Sequence, residues 1–163
     1  LRPGVAVRAD TILEGMAAKN RLKDPVDSLL ALVKPVSEWT DDFKTVDCVI
    51  EAVFEDPAVK DQVYRELCNV VSEDCLLATN TSSLPVDKLA SSVTKPERFV
   101  GAHFFSPVWM MELIEIIRGK ATGDAAVNNM LAVAAALGKR PVVCNDNPGF
   151  VVNAMLFPYF FIS

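Results

Sequence analysis

Histidine occurs once in these 163 residues, and no two of the four cysteines form a C-x-x-C pair. A zinc cluster needs several such ligands at close spacing, so metal binding of that kind is excluded. Cys48 and Cys144 lie in apolar runs, where buried free thiols are common; with Cys68 and Cys75 they read as reduced cysteines of an intracellular compartment. Basic charge is also scarce. Sixteen Lys and Arg against twenty-one Asp and Glu give a net charge of −5, without the basic face a nucleic-acid backbone requires. No apolar run reaches the ~20 residues of a membrane-spanning helix. Leu131–Leu137 and Ala154–Ile162 are the most apolar stretches, and Pro158 interrupts the second. Leu1–Val7 is too short in its apolar core for a secretory signal, and a start at Leu1 leaves processing and truncation both open. Repeats and low-complexity linkers are missing. With 51% hydrophobic and 23% charged residues the chain is not disordered, and its length is that of about one domain.

What is present alternates short apolar runs with amphipathic segments, the signature of an α/β domain. Val46–Phe54 reads as a buried strand, and Pro57 opens a helix continued by Val59, Val63, Leu67 and Val70. Cys75–Thr79 is the next strand, ending at Asn80-Thr81-Ser82-Ser83, with a short helix after it. Arg98–Phe105 and Leu113–Ile117 are the third and fourth strands. Asp124 is placed to cap a helix over Ala125–Leu137 that Gly138 ends, and Pro141–Cys144 is a fifth strand. After Asn147-Pro148-Gly149 a last helix begins at Phe150. Before residue 45, Asp10–Asn20 and Asp24–Val33 read as two helices, or as one broken at Asp24-Pro25. The domain reading is a helical lead-in over 1–45, a Rossmann-like half over 46–149, and the start of a further helix over 150–163.

Two residues stand out chemically. His103 closes the third strand before a proline turn, where α/β folds present groups to ligands; a packed core histidine is the plain alternative. Glu115 sits among four aliphatics in Leu113-Ile114-Glu115-Ile116-Ile117, and an unpaired carboxylate there is costly. If the two strands fold back around Val108-Trp109, residue 103 faces residue 115 with β-carbons ~5 Å apart. A carboxylate that fixes an imidazole tautomer makes a general acid/base pair. The alternative is that Glu115 reaches solvent from an edge strand. Asn80-Thr81-Ser82-Ser83 reads as a hydroxyl-rich turn capping a helix, or as a place where Ser82 meets a substrate oxygen. Asn153, Glu55 and Lys60 are ambiguous taken singly.

In order along residues 47–159 stand Val49-Ile50-Glu51-Ala52-Val53-Phe54-Glu55, Ala78-Thr79-Asn80-Thr81-Ser82-Ser83-Leu84 and Gly101-Ala102-His103-Phe104-Phe105-Ser106-Pro107. Leu113-Ile114-Glu115-Ile116-Ile117, Leu137-Gly138-Lys139 and Asn147-Pro148-Gly149-Phe150-Val151-Val152-Asn153 follow. This set resembles the 3-hydroxyacyl-CoA dehydrogenase family of fatty-acid β-oxidation. The resemblance implies an NAD-dependent oxidation of a 3-hydroxyacyl-CoA to the 3-oxoacyl-CoA, with the mitochondrial matrix as the expected setting and a peroxisome or a bacterial cytoplasm as the alternatives. It implies His103 as the base for the 3-hydroxyl proton and Glu115 as its orienting carboxylate. It likewise implies that Ser82 and Asn153 hydrogen-bond the reacting oxygen, and that Glu55, Lys60, Asn80 and Ser82 contact NAD.

Some family features have no counterpart. The glycines are 4, 15, 101, 119, 123, 138 and 149, so no G-x-G turn for a pyrophosphate occurs. Ala154 stands where the family usually has arginine. The expected fold is therefore an incomplete Rossmann-like, doubly wound sheet without its first strands and glycine-rich turn, flanked by helices. Two other readings stay open: a non-catalytic family remnant serving as a structural subunit of an assembly, and an acyl-CoA or nucleotide binding module without turnover. In the doubly wound order, Val46–Phe54 becomes an edge with the composition of a central strand. Its cover is expected from another protein chain, or from Gly4–Arg8 folding back as a replacement strand.

Overall fold

The computed structural model describes residues 4–161, with side chains placed over 9–159. These residues form two compact units, divided between residues 41 and 42. The first holds helices α1 (Gly4–Ala17) and α2 (Val26–Leu30). Helix α1 starts earlier and ends sooner than the Asp10–Asn20 reading, and the chain leaves it through Asn20 in a left-handed conformation, φ +53°. Helix α2 has Pro25 at its N-cap, where the missing N–H costs nothing. Gly4–Arg8 is therefore helical, so the expectation that it serves as a replacement strand is wrong.

The second unit is a five-stranded sheet in the order β1-β2-β3-β4-β5. Its elements run β1 (Cys48–Glu51), α3 (Pro57–Cys68), β2 (Leu76–Thr79), α4 (Val86–Ala90), β3 (Phe99–Phe104), β4 (Leu113–Arg118), α5 (Asp124–Ala136), β5 (Arg140–Asn145) and α6 (Val152–Phe161). β1, β2 and β3 are mutually parallel, with helical crossovers between them, and so are β4 and β5. β3 and β4 are antiparallel, because the connection over 105–112 is too short for a crossover. The strands are shorter than their apolar runs. β1 stops at Glu51, whose carboxylate turns back to accept the Val53 N–H 2.6 Å away and ends the ladder. Helix α3 begins where the Asp56 side chain accepts from the Ala58 and Val59 N–H groups, with Pro57 at the first helical position. Gly123, not Asp124, is the N-cap of α5; the Asp124 carboxylate binds Arg118 instead, at 2.7 Å.

Alternation along the strands sorts the core into two faces. Leu77, Phe99 and Ile117 pack with Tyr64 and Leu67 of α3 and with Val86 and Leu89 of α4. Leu76, Ala78, Val100, Ala102, Ile114 and Ile116 meet the Ala126, Val127, Met130 and Ala134 stripe of α5 on the other face. Each large side chain so buried contributes ~1.5–3 kcal/mol of apolar transfer. Gly101 belongs to the first face: a β-carbon there would sit 2.7 Å from the Ile117 β-carbon and 2.9 Å from Val86. The odd-numbered positions of β3 and β4 thus share one face, and His103 and Glu115 are odd. Among the described residues β1 pairs only with β2, so it is the edge that the doubly wound order implies. No helix among them is long and apolar enough to cross a membrane.

Candidate functional site

β3 and β4 set His103 and Glu115 directly opposite in register. The imidazole Nδ1 lies 2.7 Å from the Glu115 carboxylate Oε2, and both side chains are buried. A carboxylate can only accept, so Nδ1 carries the proton and donates, which leaves the lone pair on Nε2. Glu115 is 1% exposed and cannot rely on water, so protein donors must satisfy it. Its Oε1 accepts from the Val151 and Val152 N–H groups, at 3.0 and 2.8 Å. Those amides open α6, where unsatisfied N–H groups and the helix dipole favour an anion. Gly149 makes the turn possible: its φ is +76°, and a β-carbon on it would lie 2.8 Å from the Ala154 nitrogen. The rings of Phe105 and Phe150 flank the imidazole, with centroids 4.6 and 5.7 Å away.

The turn after β2 joins the same constellation. Asn153, one residue beyond the amides held by Glu115, donates from Nδ2 to the Ser82 carbonyl at 3.2 Å. Asn80 ties the ends of β2 and β3 together, its side-chain oxygen accepting the Phe104 N–H at 2.9 Å. The Glu55 carboxylate lies beneath the turn and accepts from the Thr81 hydroxyl at 2.5 Å, the Ser82 N–H at 2.8 Å and the Ser83 N–H at 3.1 Å. Burial opposes its ionisation, but these donors and the Lys60 ammonium outweigh that and lower its pKa to about 2. Lys60 is fully buried, and its Nζ is committed to Glu51 at 2.7 Å and to Glu55 at 3.3 Å. A direct touch from Lys60 to any ligand requires this pairing to open.

His103, Glu115, Asn153, Ser82, Asn80 and Glu55 are thus gathered at one end of the sheet, and Lys60 supports them from below. Sequence reasoning passed over Glu51, which lies in an apolar strand just as Glu115 does; the same argument from an uncompensated carboxylate would have found it. It also passed over Lys139, whose ammonium clamps the carbonyls of Val108 and Met111 in the connection after His103. Burial pushes the Cys48 and Cys144 thiols up to about 11 and keeps them protonated.

Comparison with known proteins places this arrangement. Residues 4–147 match a family described as 3-hydroxyacyl-CoA dehydrogenase, NAD binding domain. The match reaches back across the helical lead-in, well before the first motif. The chain is 44% identical over 153 residues to the fatty acid oxidation complex subunit alpha of Pseudomonas putida, covering 93% of this chain and 21% of that protein. Its Pseudomonas aeruginosa counterpart is 50% identical over 128 residues, 78% of this chain and 18% of that one. Among solved structures, FadB2 of M. tuberculosis superposes with a TM-score of 0.91 at 38% identity, covering 96% of this chain and 56% of its own. The (S)-3-hydroxybutyryl-CoA dehydrogenase PaaH1 of Ralstonia eutropha gives 0.90 at 38%, covering 98% and 56%. The chain spans about a fifth of the length of these curated relatives.

Proposed function

Since this chain belongs to the 3-hydroxyacyl-CoA dehydrogenase family, through its NAD-binding domain, we propose that it performs the proton transfer in NAD-dependent oxidation of a 3-hydroxyacyl-CoA to the 3-oxoacyl-CoA, a step of fatty-acid β-oxidation. One observation carries this reading: a buried imidazole held at Nδ1 by a carboxylate, its Nε2 bonded to none of the described residues. In that tautomer Nε2 of His103 takes the proton from the 3-hydroxyl. The imidazolium so formed faces the Glu115 carboxylate, which stabilises it. Holding the reacting oxygen against His103 falls to Asn153, whose amide donates to the Ser82 carbonyl in this structure, and to the Ser82 hydroxyl once it turns from Glu55 Oε1, 3.5 Å away. NAD, when bound, supplies the hydride acceptor for C3. The exposed Ser82 hydroxyl and the partly exposed Glu55 and Asn80 fit the nicotinamide end of that cofactor, and Lys60 serves it through Glu55. A pyrophosphate cradle of the G-x-G kind is not among these residues.

The curated relatives named above are bacterial; a mitochondrial setting has no support among them, and we propose a bacterial cytoplasm. We also propose that the β1 edge pairs with a strand from another polypeptide segment. The test of function is His103→Ala assayed with a short-chain 3-hydroxyacyl-CoA and NAD. The expected result is a fall in kcat of about 10²–10⁴-fold at nearly constant KM. Turnover within tenfold of the parent would refute the assignment. A folded parent without turnover would favour the structural-subunit reading.

A further inference from the structure

Beneath the turn that presents Ser82, Lys60 belongs to a buried polar network whose other members, Glu51, Tyr64 and Thr79, have no part in the proposed reaction. Glu51 and Lys60 have side chains 1% exposed. Glu51 Oε1 accepts from the Lys60 ammonium at 2.7 Å and the Val53 N–H at 2.6 Å. Its Oε2 accepts from the Tyr64 hydroxyl at 2.6 Å and the Thr79 hydroxyl at 2.9 Å. Thr79 is also the residue paired with Glu51 across β1 and β2. Lys60 then spans to Glu55 Oε2 at 3.3 Å, and Glu55 Oε1 holds the turn through Thr81, Ser82 and Ser83. Two carboxylates thus share one ammonium, and hydroxyl and amide donors satisfy their other lone pairs. So dry an ion pair is a poor source of stability, because desolvation offsets most of its attraction. What it does supply is geometry. Lys60 has no freedom to move without stranding a buried charge, so Glu55 is anchored on one oxygen and free to grip the turn with the other.

We propose that Glu51 and Lys60 are positioning residues: through Glu55 they fix the Ser82 turn, whose backbone carbonyl receives the Asn153 amide at 3.2 Å, and so hold Asn153 in place at the site. This inference rests on the site assignment above, and it differs from a direct cofactor contact by Lys60. Breaking the pair singly would leave a buried charge, so the discriminating variant is the double change Glu51→Gln with Lys60→Met. The carbonyl of the introduced glutamine then accepts from Val53, and its amide donates to the hydroxyls of Tyr64 and Thr79, which can reverse direction.

Amide hydrogen exchange on the labelled protein reads the turn without reference to activity. Ser82 and Ser83 are expected to exchange about tenfold faster in the double variant, the equivalent of one charge-assisted hydrogen bond lost. Val100 and Ala102 in β3 are expected to stay unchanged. Unchanged exchange at Ser82 and Ser83 in a folded double variant would overturn the proposal. If the double variant does not fold, Tyr64→Phe removes one donor from Glu51, and the same two amides are expected to quicken by about threefold. In kinetics, kcat is expected to fall about tenfold, with any rise in the KM for NAD accompanying it because Ser82 and Glu55 also serve the cofactor; a rise in that KM with kcat unchanged would mark Lys60 as a cofactor contact and overturn the inference. Faster exchange at the turn in a protein whose parent shows no turnover would uphold the positioning role and count against the proposed reaction.

Discussion

Replacing Glu115 by glutamine exchanges one oxygen for an amide nitrogen and, by the geometry here, disables the proposed base. Two N–H groups, from Val151 and Val152, point at Oε1; in the variant they will face the amide oxygen, because the alternative sets donor against donor. The amide nitrogen is then forced toward His103 Nδ1, which lies 2.7 Å from Oε2 in the parent. An amide N–H cannot accept, so the imidazole keeps its bond only by moving its proton from Nδ1 to Nε2. Nε2, the nitrogen proposed as the base, then has no lone pair. All three hydrogen bonds survive, so stability suffers little: the lost charge at the helix N-terminus and the exchange of a charged for a neutral bond cost about 1–2 kcal/mol. For a chain of this size that is a Tm lower by roughly 3–6 °C. Turnover, in contrast, is expected to fall about 10²–10⁴-fold. Imidazole nitrogen NMR reads the tautomer directly, and thermal unfolding reads the rest. A Glu115→Gln protein that keeps its proton on Nδ1, or turns over within tenfold of the parent, would refute the reasoning.

The acid limb of stability carries a second prediction. Glu55 has its pKa lowered to about 2 in the folded state from an ordinary 4.5, so its contribution is present above pH 4.5 and is lost as pH falls through 2. With a third of the side chain exposed to solvent, the contribution is discounted to roughly 1–2 kcal/mol. Glu55→Gln should therefore be less stable than the parent at pH 7 and indistinguishable from it near pH 2; a gap that persists at pH 2 would mean that the carboxylate's charge is not the cause. Gly149→Ala is expected to cost about 1–3 kcal/mol, since the residue sits at φ +76° with its would-be β-carbon 2.8 Å from the Ala154 nitrogen. Chemical denaturation measures this, and a change below ~0.5 kcal/mol would show that the turn relaxes freely.

The sheet is legible in the sequence where periodicity and punctuation agree. Fold-back around Val108-Trp109 sets residue 103 opposite 115 because side-chain parity along two antiparallel strands leaves few registers, and a lone carboxylate among aliphatics demands a partner. Strand ends are harder to read. Val46–Phe54 looks continuous, yet β1 stops at Glu51, since a side chain that accepts a backbone N–H two residues on competes with the ladder. Such local competition leaves no mark on hydrophobic pattern. Gly4–Arg8 misleads for a related reason: five residues are too few to separate a 2-residue from a 3.6-residue period. The donors of Glu115 lie equally out of reach, because Val151 and Val152 lend it only their backbone, which no residue identity announces. Resemblance sets Lys60 near the cofactor, and its burial appears only once α3 is packed on β1 and β2.

Glu115 satisfies two clients with one carboxylate, the imidazole on one oxygen and the start of α6 on the other. The two therefore share a free energy. Whatever secures the first turn of α6 raises the fraction of molecules in which His103 carries its proton on Nδ1, and proper seating of His103 strengthens that turn by the same factor. A ligand that engages Asn153, one residue further along the helix, would thus draw the base into register before any proton moves. Fraying of the helix would release both together.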